Sequence, residues 1–152
     1  MFDATPLLRL YAAARSRRLW RLDPARTQEG QLLGLVRRAA DTRFGRDHAF
    51  AEIRSVSDFQ RRVAIRRYED FWTQYWQPAF PAIGGATWPG HIPYFALTSG
   101  TSSAKSKYIP VSREMVRSNR RSAFDVLVHH LGNRPRSRVF GGRNFVMGGS
   151  ID

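Results

Sequence analysis

One change of rhythm, near residue 91, constrains the fold more than any other feature of this chain. Before it, apolar residues recur at helical spacing. After it comes a short apolar and aromatic run, Ile92-Pro93-Tyr94-Phe95-Ala96-Leu97, with the composition of a strand. The run leads into a segment rich in Ser, Thr and Gly, from Thr98 to Lys107. Lys107-Tyr108-Ile109-Pro110 then reads as a second short strand. A strand cannot stand alone, because its edge amides and carbonyls need partners. The chain must therefore turn from helices to a sheet and enter that sheet through a strand–loop–strand unit.

The first 90 residues are expected to be mainly helical. The first helix runs from about Pro6, tolerated at a helix start, to Leu22, with Leu8, Tyr11, Ala12, Leu19 and Leu22 facing a core. Asp23 and Pro24 break it. The second runs from about Thr27 to Ala40, with Leu32, Leu35, Val36 and Ala39 as its buried stripe. Thr42 to His48 reads as a loop hinged at Gly45. Ser57 is placed as the N-cap of a short helix, with Asp58 in its first turn. A further helix spans Tyr68 to about Gln77, and its aromatic stripe of Phe71, Trp72, Tyr75 and Trp76 reads as core. The Pro- and Gly-rich residues 78–90 read as a mobile connection.

Beyond the second strand, Ser112 caps a long helix with Glu114 in its first turn and Val116, Ala123, Phe124, Leu127 and Leu131 on its apolar face. Gly132 is the expected stop. Arg138-Val139-Phe140 and Asn144-Phe145-Val146-Met147 read as two buried strands. Residues 91–152 thus give strand, loop, strand, helix and strands. A sheet only just begun needs more strands, so the sequence is expected to stop in mid-domain.

Composition narrows the chemistry. The chain has 152 residues and 42% hydrophobic content, enough for a real core. It has no cysteine, which excludes disulfides, thiolate zinc sites and cysteine nucleophiles. No apolar run reaches the length of a membrane span, and no membrane partner is expected. The net charge of +13 attracts polyanions, nucleic acid among them. The basic residues are scattered, however, and 23 of the 25 are Arg, as a compositional bias toward Arg would produce. The Arg-rich first 22 residues also resemble a mitochondrial presequence, but a second helix of the same style follows at once, which favours an ordinary first helix and a cytoplasmic protein.

The two lysines, Lys105 and Lys107, both lie in the Ser/Thr/Gly segment. Lys is a compact charge on a flexible stem, which Arg does not replace freely where a phosphate must be reached. Around them stand six hydroxyls, on Thr98, Ser99, Thr101, Ser102, Ser103 and Ser106, and Gly100 permits a sharp turn. Hydroxyls, successive backbone amides and ammonium groups together suit phosphate oxygens. The spacing is not that of a Walker A loop, since Lys105 stands where the second glycine would fall. A plain Ser/Thr linker would have the same composition, but not the close apolar flanks or both lysines.

Thr98-Ser99-Gly100-Thr101-Ser102-Ser103 followed by Lys107 is similar to the phosphate-loop signature of the adenylate-forming superfamily. Four further segments narrow the resemblance. They are Thr42–His48, Asp58-Phe59-Gln60-Arg61-Arg62-Val63, Tyr68-Glu69-Asp70 and Pro93-Tyr94-Phe95. In that order they resemble the N-terminal part of the auxin-responsive Gretchen Hagen family of acyl-acid amido synthetases, over roughly residues 30 to 115. The resemblance implies an α/β fold, with N-terminal helices packed on the start of a mixed sheet, as the beginning of a large adenylate-forming domain. It implies ATP and Mg²⁺ as cofactors, and a small carboxylic acid and an amino acid as substrates. The acid would be adenylated with release of pyrophosphate and then joined to the amine as an amide. Ser99, Gly100, Thr101, Ser102, Ser103 and Lys107 would hold the phosphates, with Thr98 and Lys105 as weaker members; no catalytic residue is carried over.

Two departures qualify what the resemblance implies. Ala104 stands where the family has Gly. The family's later adenine- and ribose-binding segments and its C-terminal domain have no counterpart in these 152 residues. The chain is therefore expected to be an N-terminal piece and inactive alone. The alternatives are a basic nucleic-acid-binding module, using the +13 charge, and a non-functional remnant. His129-His130 makes a poor metal pair, because adjacent helical positions point about 100° apart. Glu69 and Asp70 are general-base candidates that read equally as acids of a helix N-terminus.

Overall fold

The computed structural model of the chain describes residues 3–98 and 106–141. They fall into two compact units, one of the described residues within 23–117 and one of residues 3–22 with 118–141.

The first unit opens with α2 (Pro24–Arg38). Asp23 and Pro24, expected only to end the preceding helix, start this one. The Asp23 carboxylate accepts the Arg26 N–H at 3.2 Å, and Pro24 fills a first-turn position whose missing N–H costs nothing. Val36 and Ala39 are buried as expected, whereas Leu35 is 52% exposed and Leu33 packs inward beside Leu32.

The expected loop at Thr42–His48 is instead a helix, α3 (Arg43–Asp47). Thr42 Oγ1 caps it, accepting the Gly45 N–H at 3.0 Å and donating to Ala39 O at 2.7 Å. Gly45 is no hinge. The helix lies so close to the preceding chain that a Cβ here would sit 2.0 Å from Ala39 O and 2.7 Å from Ala40 O. Two free amides of the first turn, on Arg43 and Phe44, donate to Gly85 O and Ala86 O, each at 2.9 Å. Those bonds, with Ile83 and Ala86 buried, tie down the 78–90 connection that composition marks as mobile. Gly85 and Gly90 turn it at φ 75° and 77°, where a side chain would be strained.

A 3₁₀ turn (Phe50–Glu52) leads to α4 (Val56–Arg62). Its cap is Ser55 rather than Ser57: the Ser55 hydroxyl accepts the Asp58 N–H at 3.1 Å. The helix expected over Tyr68–Gln77 is α-helical only in α5 (Tyr68–Phe71), widens to a π-turn at Trp72–Trp76, and tightens to a 3₁₀ turn at Gln77–Ala79. Pro78 supplies no N–H for an α-helical bond and crowds the turn before it. Of the aromatic stripe, Phe71, Tyr75 and Trp76 belong to the core, and Trp72 packs outside it on Tyr68 and Tyr108. Tyr75 is buried among Val36, Ala39, Phe44, Phe50 and Ile53, with Phe71 and Trp76 packed against them. Its hydroxyl donates to Asp47 at 3.0 Å, and burial, then Asp47, pushes the phenol above its usual range.

The sheet among the described residues is an antiparallel pair. β1 (Tyr94–Thr98) runs against β2 (Lys107–Val111), in register from Tyr94↔Val111 to Thr98↔Lys107. After β2, Ser112 Oγ accepts the Met115 N–H at 3.1 Å and starts α6 (Arg113–Asn133). In its first turn Glu114 accepts from Arg38 at 2.7 Å and from the Trp88 indole at 3.4 Å.

The second unit holds α1 (Thr5–Leu19) and the remainder of α6. Leu8 and Ala12 pack with Val128 and Leu131. Tyr11 and Leu22, expected inward, are exposed, and α1 stops at Leu19. On α6, Ala123 and Phe124 are exposed, and the fully buried residue is Val128. Gly132 lies inside the helix, and Asn133 closes it by donating to His129 O at 2.9 Å. Arg15 grips Asp125 with two bonds of 2.8 and 2.7 Å. Val139 and Phe140 form a turn, not a strand, and the Phe140 N–H donates to Thr5 Oγ1 at 3.0 Å. The strand expected at 144–147 lies outside the described residues. The fold is α/β, helices with a small sheet. Among the described residues no helix is long and apolar enough to cross a membrane.

Candidate functional site

The site begins at the open end of the β1–β2 ladder. Thr98 and Lys107 are its last pair, so residues 99–106 join the two strands there. Ser99, Gly100, Thr101, Ser102, Ser103 and Lys105 lie outside the described residues, as does Ala104. Thr98 and Ser106 are exposed, and Lys107 is half-buried.

Three aromatic layers fix the strand that carries Lys107. Tyr68, at the start of α5, stacks on Trp72, and Trp72 stacks on Tyr108, with centroids 6.1 and 6.0 Å apart. Phe80 packs against Trp72, Tyr108 and Phe95 at 5.3 to 5.5 Å. Such pairs prefer offset or edge arrangements and add to the area they bury. The Tyr68 hydroxyl also accepts the Tyr108 N–H at 2.9 Å and donates to Tyr108 O at 3.3 Å. One side chain thereby satisfies both backbone groups of a strand residue, the role a neighbouring strand would play.

Lys107 projects onto the same helix start. Its Nζ lies 2.9 Å from Glu69 Oε1 and 5.0 Å above the Tyr68 ring, a cation–π distance. The hydrogen bond from Lys107 is the main reason the Glu69 carboxyl lies below the usual carboxylate range. Asp70, the other general-base candidate, is committed to the helix: its carboxylate accepts the Arg67 N–H at 2.9 Å. The segment before α5 is pinned through Arg66, which donates to His48 Nε2 at 3.1 Å and to Gln74 and lies over the Tyr75 ring. His48 Nδ1–H in turn donates to Phe44 O at 2.8 Å, since a carbonyl can only accept.

Among the described residues the arrangement offers one ammonium, on Lys107, and two hydroxyl residues, Thr98 and Ser106, at the end of a hairpin whose base is packed by aromatic side chains. The sequence reading named Lys107 and Thr98 as phosphate ligands, and gave Tyr68 no role beyond its place in the Tyr68-Glu69-Asp70 segment of the resemblance. Its local signals are that segment and its position at the head of the aromatic stripe; the Tyr108 backbone it engages is distant in sequence. His129 and His130 lie exposed on α6, with His130 Nε2 bonded to Ser137 Oγ at 2.9 Å. Among the described residues no three His, Cys, Asp or Glu side chains gather as a metal site.

The GH3 family N-terminal domain matches residues 19–147, a span that includes α2 to α6, the hairpin and Lys107. No curated protein and no solved structure matches the chain. A match over most of the sequence, carrying the α5 start, the hairpin and the loop in one order, shows that the chain belongs to the GH3 family.

Proposed function

We propose that the chain is the N-terminal portion of an ATP-dependent acyl-acid amido synthetase of the auxin-responsive Gretchen Hagen type. Its part is to hold the phosphates of ATP. The observation that carries this reading is the placement of Thr98 and Lys107 as the closing pair of a hairpin within the matched domain. The residues between them in the sequence include the Ser99-Gly100-Thr101-Ser102-Ser103 run. The donor set fits a polyphosphate: an accessible ammonium, clustered hydroxyls and a glycine that frees backbone amides to approach an anion.

On this reading ATP supplies the adenylyl group that activates a small carboxylic acid, and Mg²⁺ offsets charge on the phosphates. The work of this chain is electrostatic. Lys107, carried on a strand packed by aromatic side chains, would hold developing negative charge with little reorganisation. The later amide bond forms with the amine of an amino acid.

The test is binding of Mg-ATP to the purified chain by calorimetry, with the variants Lys107→Met and Ser102→Ala. Loss of a charge-assisted contact at Lys107 is expected to weaken binding roughly tenfold or more, and loss of one hydroxyl by a few-fold. Binding that is absent in the wild type, or indifferent to Lys107, refutes the reading. Acid-dependent release of pyrophosphate is the separate measure of the adenylation step.

A further inference from the structure

The Lys107 ammonium is already engaged, on Glu69 at 2.9 Å and over Tyr68 at 5.0 Å. We propose that Glu69 is the resting counter-ion of Lys107, and that a polyphosphate binds by taking the ammonium from this carboxylate while the Tyr68 ring keeps the lysine stem in place. The proposal rests on the reading of Lys107 as a phosphate ligand.

Three observations support an exchange over a permanent pair. First, the contact is open: the Lys107 side chain is 28% exposed and that of Glu69 is 61% exposed. An anion can reach the ammonium, and so exposed a pair is weak. Second, two anions on one lysine repel each other, so a phosphate binds better as the carboxylate gives way. A phosphate oxygen within hydrogen-bond reach of Nζ lies at most about twice the 2.9 Å contact from the Glu69 oxygen. At that range, one pair of unit negative charges in water lowers affinity about threefold, and a triphosphate carries more charge than that. Third, the partners do not depend on the pair for their positions. Glu69 sits on α5, whose start is held by the Asp70 carboxylate accepting the Arg67 N–H at 2.9 Å, and Tyr68 is fixed by the Tyr108 backbone and Trp72. Removing the carboxylate therefore frees the ammonium without dismantling the site.

Glu69 is then a residue that sets affinity without touching the nucleotide. It keeps Lys107 neutralised in the empty protein and raises the threshold for weakly charged anions. Tyr68 has the complementary task, holding the stem in both states through its ring.

The lysine content makes this measurable. Reductive methylation with ¹³C-formaldehyde preserves the positive charge and labels only Lys105, Lys107 and the chain terminus, with Lys105→Arg assigning the signals. In the wild type, Mg-ATP and inorganic triphosphate are each expected to move the Lys107 resonance. In Glu69→Gln, the Lys107 resonance of the empty protein is expected to shift, and both ligands should bind about three- to tenfold more tightly. The gain should vanish in the Glu69→Gln/Lys107→Met double variant. Tyr68→Leu should weaken binding in either background. A Lys107 resonance indifferent to Glu69→Gln, weaker binding in that variant, or a gain that survives in the double variant overturns the proposal. If neither ligand binds the wild type, the ATP reading falls and the exchange falls with it. The resonance shift in empty Glu69→Gln, which needs no ligand, still separates that result from absence of the pair.

Discussion

The same substitution at two glycines of the GH3 domain should change stability in opposite directions. Gly34 lies inside α2, where an added Cβ meets nothing within 4 Å. Gly45 lies inside α3, where that Cβ would be 2.0 Å from Ala39 O, about 1.4 Å short of the 3.4 Å at which ordinary contact begins. Helix propensity favours Ala over Gly by about 1 kcal/mol at both sites, so Gly34→Ala should stabilise the protein by about that amount. At Gly45 the gain is overwhelmed. Forcing a methyl group against a fixed carbonyl costs about 1–3 kcal/mol, and displacing α3 endangers the Thr42 cap, worth about 1 kcal/mol more. The bonds from Arg43 and Phe44 to Gly85 and Ala86 shift with the same helix. The net expectation is a loss of about 1–3 kcal/mol, a large share of the 5–15 kcal/mol typical of a domain. Urea denaturation followed by tryptophan fluorescence measures both variants against the wild type. An unchanged or raised midpoint for Gly45→Ala refutes the argument that close approach, rather than flexibility, explains this glycine.

Other expectations follow from single contacts. Tyr68→Phe leaves the Tyr108 amide and carbonyl without their hydroxyl partner, and should cost about 1 kcal/mol and speed hydrogen exchange at Tyr108. The hydrogen bond from Arg15 is the main cause that holds the Asp125 carboxyl below its usual 3.8. A depressed folded value means the stabilisation is complete above the unfolded pKa and is lost as pH falls through the folded one, so Asp125→Asn should flatten the acid limb of stability against pH. Asp3, which accepts hydrogen bonds from Thr5 and Arg138, is expected to titrate at about 2 by carboxyl NMR; a midpoint near 3.8 would show those bonds are absent in solution.

Local chemistry made much of this protein legible in advance. The strand–loop–strand unit, the Ser112 cap and the core role of the Tyr75 stripe all follow from composition and spacing over a few residues. The expected elements failed where a distant segment decides. Thr42–His48 has a glycine in its middle and reads as a loop, yet it is helical because its first-turn amides find Gly85 O and Ala86 O. Residues 78–90 look mobile from their Pro and Gly content, yet the same two carbonyls anchor them. Leu35 and Phe124 fit an apolar stripe but stand exposed, because the stripe does not say which edge of it a neighbour covers.

The sequence by itself determined the chemistry at the loop: hydroxyls, one glycine and the only two lysines, set between two strands. Those properties belong to residue types and their order, and survive any arrangement of the rest. Only the tertiary structure decided what Lys107 does when no anion is present. Its partners, Glu69 and Tyr68, come from a helix far away in the sequence, brought to it by an aromatic wall and a tyrosine hydroxyl bonded to the Tyr108 backbone. The charge of a lysine is written in its side chain, but its counter-ion is chosen by packing, and packing joins residues that sequence keeps apart.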